Sequence, residues 1–131
     1  MAHNTRTPEL RDAAAQVLRA EAEAVTNVIA QLDEQFDQAV ETLGQCPGHV
    51  VVGGMGKSGI VAQKISATLA STGTPSHYLH PTEAMHGDLG RIRADDVLLL
   101  LSYGGETEDV LALAAIARQD GVKVIAMTGG R

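Results

Sequence analysis

The sequence predicts an α/β fold, in which a doubly wound parallel sheet is preceded by an N-terminal helical segment. Uninterrupted aliphatic segments alternate with helical patterns in the order helix, then β-α-β-β-α-β. Strands that are aliphatic throughout are covered on both faces, which is typical of a parallel sheet between helices. The chain has 131 residues, 44% of them apolar, and this is enough for one domain with a buried core.

The first helix is predicted to begin at Thr7-Pro8-Glu9, because Thr can cap free amides, Pro suits the first turn and Glu favours the positive helix end. Residues 1–7 are predicted to be a polar tail. Apolar residues then recur at steps of three and four, on one helix or on two that break near residues 31–34. This N-terminal stripe comprises Leu18, Ala22, Val25, Ile29, Leu32, Phe36, Val40 and Leu43. Two interpretations of the stripe are equally consistent with this pattern: it packs on the rest of the domain, or it forms a subunit interface.

The later elements are predicted from changes in the spacing of apolar residues along the chain. Aliphatic or β-branched runs predict strands at 49–52, Ser76–Leu79, Val97–Leu101 and 122–127. Ser58 is predicted to cap a helix over 58–71 whose inner face carries Ile60, Val61, Ile65 and Leu69. Thr72-Gly73 should end that helix. A polar loop with one helical turn is expected over 80–93, and a turn at 102–105 precedes a helix over 106–120.

Charge and composition exclude several classes of function. The chain has 10 basic and 16 acidic residues, and a net charge of −6 argues against a general affinity for nucleic acid or a membrane surface. The polar start lacks an export signal, and the longest aliphatic run, Val97–Leu101, is too short to span a bilayer. The single cysteine, Cys46, excludes an intrachain disulfide and fits a reducing, cytoplasmic setting.

Two glycine-rich loops, at 53–59 and 102–105, follow the first and third predicted strands. With a flavodoxin-like strand order of 2-1-3-4, the ligand crevice of such a sheet lies between those two strands. Each loop opens a helix, and the free amides of a helix N-terminus suit an anion. A bound phosphate is therefore favoured over glycines that merely make tight turns. Its candidate contacts are Lys57, Ser58, Ser102, the Tyr103 and Gly104 amides, and Thr107.

Two nucleotide-binding patterns match the first loop only in part. Gly54-x-Gly56-x-x-Gly59 reads as a dinucleotide fingerprint, but the second strand ends at His80 without the acid that would hold a ribose. Gly56-Lys57-Ser58 is similar to the end of a nucleoside-triphosphate loop, but Val51 stands where that motif needs glycine. Both interpretations are weaker than a simpler phosphate ligand.

Four motifs occur in order along the chain. They are Gly54-Met55-Gly56-Lys57-Ser58-Gly59, Ser71-Thr72-Gly73-Thr74-Pro75, His80-Pro81-Thr82-Glu83-Ala84-Met85-His86-Gly87-Asp88-Leu89-Gly90 and Ser102-Tyr103-Gly104-Gly105-Glu106-Thr107. Together they resemble the sugar isomerase (SIS) domain and, within it, the arabinose-5-phosphate isomerases. The resemblance implies a SIS domain over residues 8–131 that is incomplete at its C-terminus and lacks the two CBS repeats usual in that family. It also implies a homo-oligomer, a tetramer with active sites between subunits.

The resemblance implies an isomerase that interconverts D-arabinose 5-phosphate and D-ribulose 5-phosphate through an enediol. The reaction needs a base, a proton carrier and a positive group for the developing oxyanion, and it requires no metal or cofactor. The implied catalytic residues are Lys57, His86 and Asp109, and Glu106 is assigned to the helix start. The resemblance also implies that His80 binds an inhibitory zinc ion. The implied substrate-binding residues are Ser58, Gly73, Thr74, His80, His86, Ser102, Tyr103, Gly104 and Thr107.

Three departures from the family pattern affect this prediction. Gly104 stands where the family commonly has a second serine. Asp109 stands where the family tends to have a glutamate, and it keeps the carboxylate on a shorter side chain. Further essential Glu and His residues of the family lie downstream of Arg131. The alternative is therefore a non-catalytic module that senses a phosphosugar through the same loops. Lys57 and His86 favour the enzyme, and the missing downstream residues favour binding alone.

Overall fold

The computed structural model describes residues 6–129, which form two compact units divided after Gln38. The first unit contains helix α1 (Arg6–Asn27), a 3-10 turn (Val28–Gln31) and the start of helix α2 (Glu34–Gly44). Of the two alternatives that the sequence left open, the structure has two helices with a break near residues 31–34. Asp33 marks it, because its Oδ1 accepts hydrogen bonds from the amides of Gln35 (3.0 Å) and Phe36 (3.3 Å) at the start of α2.

The N-terminal stripe is largely solvent-exposed in the structure. Its large apolar side chains from Leu18 to Val40 are about half exposed or more: Leu18, Val25, Ile29, Leu32, Phe36 and Val40. Leu43, at the end of the stripe, instead packs against the core of the second unit.

The second unit is built on a four-stranded parallel sheet with the order β2-β1-β3-β4. The strands are β1 (Val50–Gly54), β2 (Ser76–Leu79), β3 (Val97–Leu101) and β4 (Lys123–Met127). The predicted fold class and strand order are confirmed. The first strand begins one residue later than expected and continues into the glycine pair, whose backbone hydrogen-bonds to the neighbouring strands.

Helices cover both faces of this sheet, as its aliphatic strands require. On one face, α5 (Glu108–Gln119) buries Val110, Leu113 and Ala117 against the sheet. On the other face, α3 (Gly56–Ser71) packs Ala62, Ile65 and Leu69 against the sheet. The polar loop after β2 contains α4 (Pro81–Met85) and a 3-10 turn (Asp88–Arg91), and α4 packs against α5.

Two predicted helix starts are corrected. Helix α3 begins at Gly56 after the N-cap residue Met55, so Ser58 lies inside the first turn and does not cap it. The buried face is consequently Gly59, Ala62 and Ser66, while Ile60 and Val61 are 67% and 51% exposed. Small residues occupy this face because the helix lies close to β1. Helix α5 begins after the N-cap residue Thr107, so Glu106 precedes the helix and the first-turn acids are Glu108 and Asp109.

No helix among residues 6–129 has both the length and the apolar composition that a membrane span requires.

Candidate functional site

The two glycine-rich loops meet at one edge of the sheet. Gly54, Leu101 and Met127 are register partners at the carboxyl ends of β1, β3 and β4. The residues that follow these strands enclose an open cleft of about 580 Å³. It is lined by Lys57, Ser58, Val61, Leu101, Ser102, Tyr103, Met127, Thr128 and Gly129. The structure therefore brings together four predicted site residues, Lys57, Ser58, Ser102 and Tyr103.

The first loop is held by close packing around Gly54. Its carbonyl oxygen accepts a 2.8 Å hydrogen bond from the Tyr78 phenol. A Cβ atom on Gly59 would lie 2.6 Å from that same oxygen, so only glycine fits there. Burial raises the pKa of the Tyr78 phenol above its ordinary 10.0, against the opposing effect of a Gln63 hydrogen bond, and keeps it a neutral donor. Gly56 has a φ of +54°, a conformation that favours glycine.

The start of α3 brings positive charge to the cleft. Lys57 and Ser58 are the second and third residues of the helix, whose first amides have no partner within the helix. The first amide bonded back is that of Gly59, which donates to the Met55 carbonyl at 3.1 Å. Lys57 is exposed and carries a full charge beside these partial charges. This arrangement suits an anionic group such as a phosphate.

The second loop is organised by the Ser102 hydroxyl. Ser102 is buried, its Oγ accepts a 3.1 Å hydrogen bond from the Gly105 amide, and it lies 3.2 Å from the Thr107 Oγ1. Gly105 has a φ of +71°, which lets the backbone turn back toward Ser102. Gly104 is exposed, and a Cβ there would meet no atom within 4 Å. Thr107 therefore stabilises the loop through Ser102 and is not among the residues that line the cleft.

Residues after β4 form a wall of the cleft that the sequence analysis missed. The Ser102 amide donates to the Met127 carbonyl at 3.1 Å, and the Gly129 amide donates to the Tyr103 carbonyl at 3.0 Å. A Cβ on Gly129 would lie 2.8 Å from the Tyr103 ring, so a larger residue there would require this exposed ring to move. The available signal was a third polar, glycine-containing turn after an aliphatic strand, Thr128-Gly129.

A second group of predicted residues lies where α4 meets α5. Thr82 joins them: its Oγ1 donates a 2.5 Å hydrogen bond to Oδ2 of Asp109, and its carbonyl oxygen lies 2.8 Å from Nδ1 of His86. Asp109 is half-buried and His86 is exposed. Thr82 was not singled out from the sequence, since nothing local indicates a contact with a residue 27 positions away.

His80 follows β2 directly. Its ring lies edge-on to Tyr78, with ring centroids 6.4 Å apart. Its Nδ1 is buried and has no hydrogen-bond partner among the described residues. Within residues 6–129, no three His, Cys, Asp or Glu side chains are grouped to hold a metal ion. The predicted zinc on His80 would therefore need ligands from outside this part of the chain.

Gly73 and Thr74 lie at the opposite edge of the sheet from the cleft. They connect the end of α3 to the start of β2, and the neighbouring Pro75 carbonyl accepts a 2.8 Å hydrogen bond from the Val50 amide. Val50 begins β1, whereas the glycine loop follows its end. Gly73, with a φ of +98°, ends the helix as predicted. The fold thus does not bring these two residues to the ligand site that they were expected to share.

Comparison with known proteins assigns the fold to a family. The model of the SIS domain matches residues 44–131. This chain belongs to the SIS domain family. The order of the strands and the two loops at the carboxyl edge are therefore those of a SIS domain, as the four motifs indicated.

Curated relatives of this SIS chain are arabinose 5-phosphate isomerases. KpsF from Escherichia coli O6:H1 is 46% identical over 126 residues, which cover 95% of this chain and 38% of the relative. KdsD from Pseudomonas aeruginosa is 50% identical over 109 residues, covering 83% of this chain and 33% of the relative. The SIS chain thus spans little more than a third of the length of these relatives.

Solved structures agree with the fold. The protein c3406 of E. coli CFT073, in complex with arabinose 5-phosphate, superposes with a TM-score of 0.88 at 41% identity, covering 95% of this SIS chain and 66% of that chain. The sugar isomerase domain of an RpiR transcription factor from Sphaerobacter thermophilus superposes with a TM-score of 0.72 at 27% identity, covering 95% and 66%. The SIS fold therefore occurs both in a protein that binds arabinose 5-phosphate and in a transcription factor.

Proposed function

We propose that this chain is the sugar-phosphate-binding part of an aldose–ketose isomerase that interconverts D-arabinose 5-phosphate and D-ribulose 5-phosphate. The convergence of the two glycine loops on one cleft carries this proposal, because Lys57, Ser58 and Ser102 meet there from separate elements. Relatives at 46% and 50% identity named arabinose 5-phosphate isomerase, and a structural neighbour in complex with that sugar phosphate, support the same substrate class.

The phosphate is held between the two loops in this proposal. The Lys57 ammonium and the first amides of α3 supply positive charge on one side of the cleft. The Ser102 hydroxyl and the Tyr103 and Gly104 amides supply donors on the other side. Hydrogen bonds to a charged group are stronger than those between neutral groups, so a dianionic phosphate gains most from this arrangement.

Isomerisation moves a proton between C1 and C2 of the sugar through an enediol. A histidine titrates near neutral pH, so His86 is the proposed proton carrier. Lys57 is the proposed positive group for the developing oxyanion. Asp109 lies in the same group of side chains as His86, joined to it through Thr82. We assign the reaction to the complete protein, because this chain spans little more than a third of its relatives.

The N-terminal stripe is the proposed subunit interface. Large apolar side chains such as Val25, Ile29 and Phe36 are exposed along it, and contiguous exposed apolar surface marks protein–protein contact. A homo-oligomer, a tetramer by family resemblance, is therefore proposed. A cytoplasmic location is proposed on the free thiol of Cys46, which suits a reducing compartment.

A second candidate function is phosphosugar sensing without turnover. The SIS domain of a transcription factor shares this fold at a TM-score of 0.72. Binding and catalysis separate the two candidates, since a sensor uses the cleft but has no need of a proton carrier at His86.

The binding half of the proposal is tested by calorimetric titration of the chain with D-arabinose 5-phosphate. Lys57→Ala should weaken the affinity about tenfold, the worth of one hydrogen bond to a charged group. Lys64→Ala is the matched control, because it removes the same charge from the same helix outside the cleft, where Lys64 bonds Thr68 at 3.0 Å. Equal loss in both variants, or binding of NAD alone, would contradict the site.

The catalytic half is tested by an isomerase assay of the complete protein, with ribulose 5-phosphate formation as the readout. Turnover that His86→Gln abolishes while D-arabinose 5-phosphate still binds would support the enzyme. Tight binding with no turnover by the complete protein would support the sensor instead.

A further inference from the structure

Thr82 makes two contacts that join α4 to the start of α5. Its hydroxyl is bonded to the Asp109 carboxylate over 2.5 Å, and its backbone carbonyl lies 2.8 Å from Nδ1 of His86. Thr82 is half-buried, whereas the His86 ring is exposed. Two residues expected at the site from the sequence are thus linked by a third that was not.

The hydrogen-bond donor in each of these two contacts follows from the chemistry of the groups. A carboxylate only accepts hydrogen bonds, so the Thr82 hydroxyl must donate its one proton to Asp109. The Met55 sulfur, 3.6 Å from the same hydroxyl, is a weak acceptor and cannot share that proton equally. A backbone carbonyl also only accepts, so Nδ1 of His86 must carry a hydrogen.

The contact between Nδ1 of His86 and the Thr82 carbonyl determines the tautomer of His86. When the ring is neutral and Nδ1 carries the proton, the lone pair is on Nε2. His86 follows the last residue of α4 and precedes Gly87, whose φ of +136° turns the chain away from the helix. The Nε2 edge of the ring is then the edge left to receive a proton.

We propose that Thr82 is a positioning residue for the isomerisation: its carbonyl fixes His86 as the Nδ1–H tautomer, and its hydroxyl anchors α4 to Asp109. The catalytic meaning of this inference rests on the proposed function. Buried Pro81 and Ala84 hold one side of α4 against the core, and the Thr82–Asp109 bond ties it to α5. Loss of the hydroxyl would free the turn that carries His86 and weaken the tautomer preference.

Long-range proton–nitrogen NMR of the ¹⁵N-labelled chain tests this directly, because a protonated ring nitrogen is distinguished from a bare one. His86→Gln assigns the His86 signals. The wild-type chain, measured at about pH 8.5 where histidines are ordinarily neutral, should show Nδ1–H. Thr82→Val, which keeps the shape without the hydroxyl, should reduce that form, and Thr82→Ser should retain it. Thr68→Val is the matched control, since the Thr68 hydroxyl donates to Lys64 within α3.

An Nε2–H tautomer in the wild-type chain, or an unchanged tautomer in Thr82→Val, would overturn the inference. If Thr82→Val does not fold, Asp109→Ala removes the acceptor from the other side and should produce the same loss of Nδ1–H. In the complete protein, Thr82→Val should lower kcat about tenfold with little change in KM, and Thr82→Ser should restore it. Complete absence of isomerase activity would contradict the proposed function, while the NMR result decides the role of Thr82 separately.

Discussion

The phenolic oxygen of Tyr78 lies 2.8 Å from the carbonyl oxygen of Gly54, and this hydrogen bond ties strand β2 to the first glycine loop. The same carbonyl is 2.6 Å from the position that a Cβ of Gly59 would occupy, and the Tyr78 oxygen is 2.9 Å from it. Three residues on β1, β2 and α3 therefore meet at one point. Lys57 lies in the first turn of α3, two residues before Gly59.

Gly59→Ala should destabilise the protein although Gly59 lies inside α3. Alanine in a helix interior is normally favoured over glycine by about 1 kcal/mol. Here the added methyl would overlap the Gly54 carbonyl, and overpacking typically costs about 1–3 kcal/mol. The difference is a net loss of up to about 2 kcal/mol, measured by urea unfolding monitored by circular dichroism.

Gly44→Ala is the control for that prediction. Gly44 ends α2, and a Cβ there would meet no atom within 4 Å. The unfolding free energy of the Gly44→Ala protein should be unchanged or slightly higher than that of the wild-type chain. A Gly59→Ala protein as stable as Gly44→Ala would show that α3 does not pack on β1 as closely as described.

Tyr78→Phe should lower the free energy of unfolding by about 1 kcal/mol, the typical net worth of one hydrogen bond. The Gly54 carbonyl would lose its partner while the ring continued to pack against the core. Tyr103→Phe is the matched control, because that ring is 86% exposed. Equal midpoints for the two variants in urea would mean that the Tyr78 bond adds nothing to stability.

His77 should make the protein less stable in mild acid. Burial, followed by the charges of Arg91 and His49, lowers the pKa of His77 below its ordinary 6.5, and Asp96 opposes this only in part. The unfolded chain then binds a proton that the folded chain resists. Stability should therefore fall as the pH decreases through 6.5 and level off below the folded pKa.

The effect of His77 on the pH dependence of the unfolding free energy is measured by urea unfolding between pH 7.5 and about 5, the range around an ordinary histidine pKa. In His77→Gln, the unfolding free energy should change less with pH than in the wild-type chain. His49→Gln should keep most of it, because burial remains the main cause of the pKa shift. An identical slope in wild type and His77→Gln would contradict the assignment.

Val25→Glu should disrupt self-association through the N-terminal stripe. Val25 is 73% exposed on α1 and belongs to that stripe, and a buried unpaired charge at an interface is strongly unfavourable. Sedimentation velocity should show a smaller assembly for Val25→Glu than for the wild-type chain. Ala24→Glu places the same charge on the same helix off the stripe and should leave the assembly intact, and a monomeric wild-type chain would refute the interface.

Local sequence patterns were sufficient for the fold. The aliphatic run Val97–Leu101 is β3 as predicted, and Ser76–Leu79 is β2. The helix starts were less well predicted, because Ser58 and Glu106 have suitable chemistry for a start but the backbone begins its turn elsewhere. Whether the N-terminal stripe lies on one helix or two was left open by the sequence, and the structure shows a break at Asp33, whose side chain caps the start of α2.

The order of strands and helices and the two glycine loops at the carboxyl edge could be predicted from the amino-acid pattern, because they depend on periodicity and on turn residues close together in the chain. Which side chains meet became clear only from the folded chain. It added Gly129 to the cleft, joined Thr82 to Asp109, and placed Gly73 and Thr74 at the far edge of the sheet. Such contacts link residues that are distant in sequence, and their geometry follows from the packing of whole elements, which no local pattern encodes.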